Sequence, residues 1–331
     1  MSTPGPLLPL SLLSSNRESF NALFYEPVTS ALQSKTNLHL HVLRVQNGDF
    51  DLPSLYRALK NNSVAYVLSR LNYKQVLSDP GRMVEVVNKV QSQFRKPDAR
   101  SGEGGEVILY SLLEGHLGAP KVLSKMELKT SSQHYVHGSD GVHLLHIDGS
   151  SYQLIFGESK MYGNAKGKPD GSARLGIKAA FESIEKVHDE GLEFETWLVQ
   201  SELLKEHLDE ASVAALSSIL LPSARGTNSA VTKANAFGIF VGYEVDLTDV
   251  KFEELTLPDT ESLIRERASH AIKAEQDTIK NEIINRGLGI YPFHIYAVPF
   301  TKRTIKDEIH GIEKVRMDLA AQLGYNGTTT L

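Results

Sequence analysis

The pattern of apolar and polar residues changes along the chain between a period of two and a period of three to four. Alternating or uninterrupted apolar runs predict strands, whereas apolar residues three and four positions apart predict helices. The predicted strands are 37–45, 121–130, 141–147, 151–160, 236–246 and 291–300. The predicted helices are 52–70 (one or two helices), 78–94, 103–118, 173–190, 194–212, 211–221, 259–287 and 304–323. This order of elements predicts an α/β fold in which helices flank a mixed sheet.

Local signals define several ends of these elements. Ser78 or Asp79 can cap the helix that starts at Pro80, and Gly118 can end the helix that starts near 103. The apolar positions of 173–190 form a stripe that would face the core. Its members are Leu175, Ala179 or Ala180, Ile184 and Val187.

The segment 95–105, with the sequence RKPDARSGEGG, interrupts the pattern of apolar residues. Pro, Gly and charge in such density are typical of a connection between folded units. We therefore predict a small N-terminal α/β module, residues 1–97, which is a candidate for docking a partner. A larger domain with a helical C-terminal elaboration, residues 98–331, follows it. The charged helices 259–287 and 304–323 are interpreted as solvated faces or as a docking surface for another protein.

Composition narrows the class of protein. The 331 residues are 41% hydrophobic, enough for a sizeable core, and carry a formal charge of −5 from 35 basic and 40 acidic residues. This balance argues against a chain coated in positive charge but allows a local phosphate-binding groove. No cysteine is present, which excludes disulfides, thiolate zinc sites and cysteine nucleophiles. We expect a cytoplasmic protein, since neither a secretory signal nor a run of roughly 18 apolar residues is found.

A hairpin is predicted to bring two carboxylates together. Asp148-Gly149-Ser150 is a turn signal between the runs 141–147 and 151–160, which should therefore pair. A short turn places the entry of the first strand beside the exit of the second. Asp140 and Glu158 are thus expected to be spatial neighbours.

Two further charged groups are expected near this pair. Lys160 follows Glu158 by two positions in the sequence GESK, so both side chains share one face of the strand, roughly 6–7 Å apart along the chain. Glu106 lies near the start of helix 103–118, and Glu103 competes with it because residues three apart share a helix face.

Crowded carboxylates repel one another unless a cation neutralises them, and an all-oxygen set suits Mg²⁺ or Mn²⁺. Such an ion polarises a phosphoryl oxygen and lowers the pKa of water, while a nearby lysine stabilises the developing charge. Each residue also has a structural interpretation. Glu158 and Lys160 could form a salt bridge, Asp140 could be a turn residue, and Glu106 could be a solvated helix residue.

The arrangement of these residues resembles the PD-(D/E)xK nuclease superfamily, the fold of many restriction endonucleases. More narrowly, the sequences SGEGGEVILYSLL, GSDGVH and FGESK resemble the HamA family, the nuclease subunits of the Hachiman anti-phage defence system. The motifs lie within roughly residues 100–190, and the general layout extends the resemblance to the C-terminus. Ser139 stands where the superfamily has a proline before Asp140.

The resemblance implies roles for individual residues. Asp140 and Glu158 would bind the metal, aided by a backbone carbonyl near Ser159, and Glu106 would complete the acidic set. Lys160 would position or deprotonate the attacking water.

The resemblance also implies an activity and a partner. The chain would be a metal-dependent DNA endonuclease with little sequence specificity, held in check by a HamB-type helicase. The alternative is a nuclease-fold scaffold that binds DNA or docks a helicase without cutting. Cleavage of RNA has no discriminating feature in the sequence.

Other signals are weaker. Four histidines near Asp140 suggest zinc, but in a strand His143 and His146 would point to opposite faces and could not share an ion. The other two are His134 and His137. The sequence GNAKGKP lacks the spacing and the Ser or Thr of a phosphate-binding ATP loop.

A basic stretch follows the hairpin and could hold the DNA backbone, a contact without base information. Its alternative interpretation is a solvated loop and helix start. The expected phosphate contacts are Lys166, Lys168 and Arg174, with Lys160 and Lys178 nearby.

Overall fold

The computed structural model describes residues 17–95, 101–126, 139–149, 151–164, 171–189, 216 and 232–324. The helices are α1 Arg17–Asn21, α2 Leu52–Val67, α3 Arg70–Ser78, α4 Met83–Gln93, α5 Glu103–Leu112, α6 Gly171–Asp189, α7 Leu257–Lys273, α8 Gln276–Asn285 and α9 Ile312–Leu323. The strands are β1 Val28–Gln33, β2 Thr36–Leu40, β3 Val45–Gln46, β4 Asp49–Phe50, β5 Lys121–Ser124, β6 Gly141–Asp148, β7 Ser151–Met161, β8 Thr232–Asp246, β9 Phe293–Ile305 and β10 Glu308–His310. Short 3₁₀ turns (Pro80–Arg82, Phe252–Glu254) and a π-helical turn (Leu113–Leu117) complete the elements.

Eight strands form one mixed sheet in the order β1-β2-β9-β8-β7-β6-β5, with β10 paired to β9. The four central strands β2, β9, β8 and β7 are parallel, and the outer pairings are antiparallel. Long stretches of β8 and β9 are continuously buried, as expected for parallel strands covered on both faces. The predicted fold class is confirmed, because helices flank this sheet in a restriction-endonuclease-like α/β arrangement.

The first two strands belong to this same sheet, whereas β3 and β4 form a separate two-stranded sheet. β2 runs parallel to β9, with Thr36 opposite Phe293, and β1 pairs with the outer side of β2. One continuous hydrophobic cluster includes residues from both sides of the predicted boundary, such as Leu38 and Ile295. The boundary between 97 and 98 stays a prediction, and the first segment contributes two strands and a share of the core to the second.

Helix α5 packs closely on the hairpin of β6 and β7. A Cβ atom added at Gly157 would lie 3.1 Å from Cδ2 of Leu109 on α5, so the glycine allows the helix to approach the strand. Every residue of α5 is buried, because α2 and α9 also pack against it. The helix continues through the π-helical turn and ends at Gly118, whose φ of 74° favours glycine, as predicted.

Several predicted details differ from the structure. In α6 the predicted core positions Ala180 and Ile184 are buried, whereas Leu175 is exposed and Val187 is only partly buried. The other buried apolar side chains of this helix are Ala173, Ile177 and Phe181. The predicted strand 37–45 stops at 40, after which the chain leaves the sheet and makes a bridge between Phe24 and Leu43. The predicted helix 304–323 begins only at Ile312, because β9 and β10 form a hairpin before it.

The start of α4 also differs from the prediction. Ser78 is the last residue of α3, and Asp79 precedes a 3₁₀ turn without a side-chain capping bond. The predicted helices 194–212 and 211–221 lie outside the described residues except for Leu216. In the described part of the chain, no helix combines the length and apolar content needed to cross a membrane.

Candidate active site

The start of β6 delivers the Asp140 carboxylate to the backbone of β7. Gly141 and Gly157 are the last paired residues, and the N–H of Asp140 donates to the carbonyl of Gly157 at 2.8 Å. Beyond this point the side chain of Asp140, rather than the backbone of β6, bonds to β7. Its Oδ2 accepts hydrogen bonds from the N–H and from the Oγ of Ser159, both at 2.8 Å. The predicted hairpin is confirmed, and the sheet opens between β6 and β7 where the carboxylate sits.

Ser139, which directly precedes Asp140, takes part in this turn. Its Oγ lies 2.8 Å from the carbonyl oxygen of Gly141 and 3.1 Å from that of Gly157. Ser139 is buried, so this side chain fixes the turn from within. The hydroxyl therefore gives the backbone before Asp140 a constraint that proline would give through its ring.

Glu158 and Lys160 project from the face of β7 that α6 covers. Gly157 faces Leu109 of α5, so by strand alternation Glu158 faces the other way. There its carboxylate accepts a hydrogen bond from Ser183 of α6, and its Oε1 lies 2.5 Å from Nζ of Lys160. The two side chains share one face, as the sequence predicted.

Glu106 reaches the opening from the α5 side. Its Oε2 accepts a 2.8 Å hydrogen bond from the hydroxyl of Tyr66 on α2, and its Oε1 lies 3.5 Å from Nζ of Lys125. Glu103 lies one helical turn earlier and accepts a 2.8 Å hydrogen bond from the N–H of Arg95, whose Nε is 3.7 Å from the same carboxylate. Of the two candidates, Glu106 is the one that shares a lysine with Asp140.

Lys125 is a member of the site that the sequence did not reveal. Its Nζ lies 2.9 Å from Oδ1 of Asp140, and its backbone N–H donates to the Asp140 carbonyl at 3.2 Å. The residue follows β5 directly, and β5 pairs with β6, so sheet topology brings it to the start of β6. Lysines are common after strands, and no spacing relates Lys125 to the GESK motif.

Lys121 and Tyr66 support the site from behind. The Nζ of Lys121 is buried and donates to the carbonyl oxygens of Ala65, Tyr66 and Leu68 at 2.8–2.9 Å. These hydrogen bonds attach the C-terminal end of helix α2 to strand β5. Burial and the charges of Glu106 and Asp140 raise the pKa of Tyr66 well above its usual range, so its hydroxyl stays a donor. Neither residue was predicted, because both act through contacts distant in sequence.

Burial and mutual repulsion set the ionisation of these groups. Burial, and then the charge of Asp140, raises the pKa of Glu158 to about 7, although Lys160 and Ser183 oppose the shift. For Lys160, burial lowers the pKa, but Glu158 and Asp140 together more than offset it, and the pKa is raised. For Lys125, burial likewise lowers the pKa, but the charges of Asp140 and Glu106 more than offset this effect, and the pKa is raised. Both lysines therefore stay charged and neutralise part of the negative charge of the acidic side chains that they contact.

The donor set fits a hard divalent cation in its chemistry. Carboxylates of Asp140, Glu158 and Glu106 and the backbone carbonyl of Ser159 are the oxygen ligands that Mg²⁺ and Mn²⁺ prefer. Among the described residues, no three acidic or histidine side chains are arranged to hold a metal ion. Instead, the carboxylates are paired with lysines, Asp140 and Glu106 with Lys125 and Glu158 with Lys160.

The remaining candidates lie apart or outside the described residues. Arg174, near the start of α6, forms an ion pair with Glu275 at 2.9 Å, and the side chain of Glu275 is buried. His143 is buried with its Nδ1 2.8 Å from the Ala119 carbonyl, whereas His146 is exposed and contacts the carbonyl of Gly149. These separate partners agree with the expectation that the two histidines do not share an ion. Lys166, Lys168, His134 and His137 lie outside the described residues.

Comparison with known proteins gives one family. The model of the HamA family matches residues 18–314, which is most of the chain and includes every described member of the site. Comparison with curated proteins gives no match.

Proposed function

The chain belongs to the HamA family, and on that premise we propose that it is a divalent-cation-dependent deoxyribonuclease. Family membership assigns it to anti-phage defence in the Hachiman system. The observation that supports the proposed activity is the position of two charged groups of residues beside one stretch of β7. On the α5 side, Ser159 holds Asp140, which shares Lys125 with Glu106, and on the α6 side Glu158 pairs with Lys160. Asp140 also interacts electrostatically with both Glu158 and Lys160, which a structural salt bridge alone would not require.

The contacts of these side chains support the proposed ligand and catalytic roles. Asp140, Glu158 and Glu106, with the carbonyl of Ser159, would hold Mg²⁺ or Mn²⁺, which when bound supplies a Lewis acid and a more acidic water. Ser159 holds the Asp140 carboxylate by two hydrogen bonds, and Tyr66 holds that of Glu106. These contacts fix two acids before any ligand arrives, which reduces the reorganisation that binding requires.

Lys160 is the proposed electrostatic catalyst. Its ammonium is held by Glu158 and is partly accessible, with 23% of the side chain exposed. From this position it can orient a water molecule and donate a hydrogen bond to a phosphoryl oxygen as negative charge develops. Loss of one such donor costs about 10²–10³ in rate.

The proposed substrate is DNA read through its backbone. Arg174, Lys166 and Lys168 are proposed phosphate contacts, and such contacts carry no base information. Little sequence specificity and a steep loss of binding with salt are therefore expected. The acidic net charge of −5 makes a broad DNA-binding surface unfavourable, which supports dependence on a HamB-type helicase for delivery and restraint.

Cleavage of supercoiled plasmid tests the proposal. The purified chain, with and without the helicase, is incubated in Mg²⁺, in Mn²⁺ and in EDTA. Glu158→Gln and Lys160→Met should each reduce cutting by at least about 10² while leaving the melting temperature near that of the wild type. Lys186→Met on the exposed face of α6 is the matched control and should cut normally.

The same experiment separates the scaffold alternative. Retained DNA binding with no cutting in any metal, with or without the helicase, would support a scaffold. Full cutting by either site variant would show that the assigned residues are wrong.

A further inference from the structure

The Lys125 side chain, which directly follows the edge strand β5, extends into the acidic site. Its Nζ lies 2.9 Å from Asp140 Oδ1 and 3.5 Å from Glu106 Oε1, so one ammonium bridges two carboxylates. The two carboxylate side chains are only 9% and 7% exposed, whereas that of Lys125 is 39% exposed. The cation is therefore the accessible member of the trio.

Two acids held this far from water require a nearby positive charge. Removing carboxylates from solvent is costly unless they are paired, and leaving them unpaired next to each other adds repulsion. Ser159 and Tyr66 contribute hydrogen bonds, but these are neutral groups. Lys125 supplies the charge, and no other cation is recorded within ion-pair distance of Asp140 among the described residues.

Lys125 differs from Lys121 and Lys160 because its ammonium group can move away from the carboxylates into solvent. Lys121 is fully buried and donates to three carbonyl oxygens, so its movement would disrupt the end of α2. Lys160 contacts Glu158 on the opposite face of β7. The Lys125 ammonium could turn into solvent by side-chain rotation alone, since its backbone stays bonded to Asp140.

We propose that Lys125 is an internal counter-ion that occupies the Asp140 and Glu106 carboxylates until a divalent cation displaces it, and that it thereby sets the metal affinity of the site. This inference rests on the proposed function, because it concerns the same acids. It adds a regulatory step, since the metal must compete with a tethered charge. The metal-free chain keeps a stable, closed site, and cutting begins only at cation concentrations that overcome the lysine.

Metal titration of the full-length chain tests the proposal. Lys125→Met removes the charge but keeps the apolar stem, and Mn²⁺ is titrated by calorimetry into EDTA-treated, dialysed protein. The Mn²⁺ affinity should rise by about tenfold or more, because breaking a charge-assisted contact no longer opposes binding. Lys125→Arg should keep the affinity within about threefold of the wild type, and Lys186→Met serves as the surface control.

Thermal unfolding supplies a second readout that does not depend on catalysis. Lys125→Met should melt at a lower temperature than the wild type in EDTA and should gain more from added Mn²⁺. A merely structural lysine would lower the melting temperature in both conditions by the same amount. If Lys125→Met does not fold, Lys125→Gln, which keeps a hydrogen-bond donor, is titrated in its place with the same expectation.

The outcomes separate this proposal from the proposed nuclease function. Unchanged or weaker Mn²⁺ binding by both neutral variants overturns the role of Lys125, even if the wild type cuts DNA. The absence of Mn²⁺ binding in the wild type and in the neutral variants overturns it as well. Tighter binding by the variants in a chain that never cuts DNA supports Lys125 as the counter-ion and contradicts only the nuclease.

Discussion

The hydroxyl of Tyr66 donates a 2.8 Å hydrogen bond to Oε2 of Glu106 and thereby joins α2 to α5. Both groups are buried, so the bond orients an acidic side chain of the site from an element within the first 97 residues. The N-terminal segment is thus part of the support of the site as well as part of the sheet. Loss of the hydroxyl should be felt both in stability and in chemistry.

Tyr66→Phe is predicted to destabilise the fold by about 1.5–3 kcal/mol, because a hydrogen bond to a charged, buried carboxylate is lost. It should also reduce plasmid cutting, since Glu106 is held less firmly. Denaturant unfolding and the cleavage assay measure the two effects. Tyr243→Phe is the matched control, because its buried hydroxyl donates to the Ala268 carbonyl at 2.7 Å. The control should lose stability and keep its activity, and equal losses of activity in both variants would argue against a positioning role for Tyr66.

The local geometry of the site followed from short-range rules. The turn signal in the sequence 148–150 predicts the pairing of β6 with β7, which places Asp140 beside the strand that carries Glu158 and Lys160. The two-residue period of a strand placed the latter two on one face. These relations depend on residues within one hairpin, so a single sequence was sufficient.

The contacts that complete the site join distant segments, and no local pattern predicts them. Tyr66 reaches Glu106 because α2 packs on α5, and Lys125 reaches Asp140 because β5 pairs with β6. The same reason explains why the sequence does not predict the pairing of β2 with β9. The sequence predicts that Leu175 faces the core, but Leu175 is exposed. Which face of α6 is buried depends on tertiary packing, and the local pattern of apolar residues does not decide it.

A fragment that begins at residue 98 is predicted not to fold alone. It would expose the β9 edge that β2 covers and the apolar face of α5 that α2 covers. Circular dichroism and size-exclusion chromatography of fragment 98–331 should show an unfolded or aggregated chain. Co-expression with fragment 1–97 should restore a folded complex. A monomeric, cooperatively unfolding 98–331 fragment would contradict this prediction and support two independent domains.

Acid is predicted to destabilise the protein through its buried histidines. Burial, followed by the charge of neighbouring histidines, lowers the pKa of His41 to about 3 and that of His39 to about 4. Burial likewise lowers the pKa of His143 and His294 to about 4. Because these pKa values are lower in the folded state, the unfolded chain binds more protons below about pH 6.5, and stability falls as the pH falls from there toward 4. Glu158 acts in the opposite direction, since its raised pKa favours the folded state on acidification.

Replacement of one histidine isolates this effect. The buried His41 ring packs edge-on against Phe24 and His116, with centroids 5.4 and 4.7 Å away. His41→Phe should therefore fit the site and lose less stability than the wild type between pH 7 and pH 5. Denaturant unfolding at both pH values measures the difference. An identical pH dependence in the two proteins would exclude His41 as a source of acid sensitivity.

Gly104→Ala tests how closely α5 and α9 approach. Within a helix this change normally stabilises by up to about 1 kcal/mol, because glycine has the greater conformational freedom. Here an added Cβ would lie 2.4 Å from Cδ2 and 2.7 Å from Cγ of Leu319, so the prediction has the opposite sign. Overpacking of this kind costs about 1–3 kcal/mol, measured by denaturant unfolding.

A double-mutant cycle with Leu319→Ala identifies the cause of that cost. Leu319→Ala alone should destabilise by about 2–5 kcal/mol through loss of buried contacts on α9. The new methyl group of Gly104→Ala would fill part of the space that this truncation leaves. The loss of unfolding free energy in the double variant should therefore be smaller than the sum of the two single losses by at least about 0.5 kcal/mol. Ile279→Ala on α8, a buried residue of a helix that packs against α6, is the control partner and should combine additively with Gly104→Ala. Additive losses in both cycles would mean that α9 moves away from α5 rather than pressing on it, and that the cost of the alanine arises elsewhere on the helix.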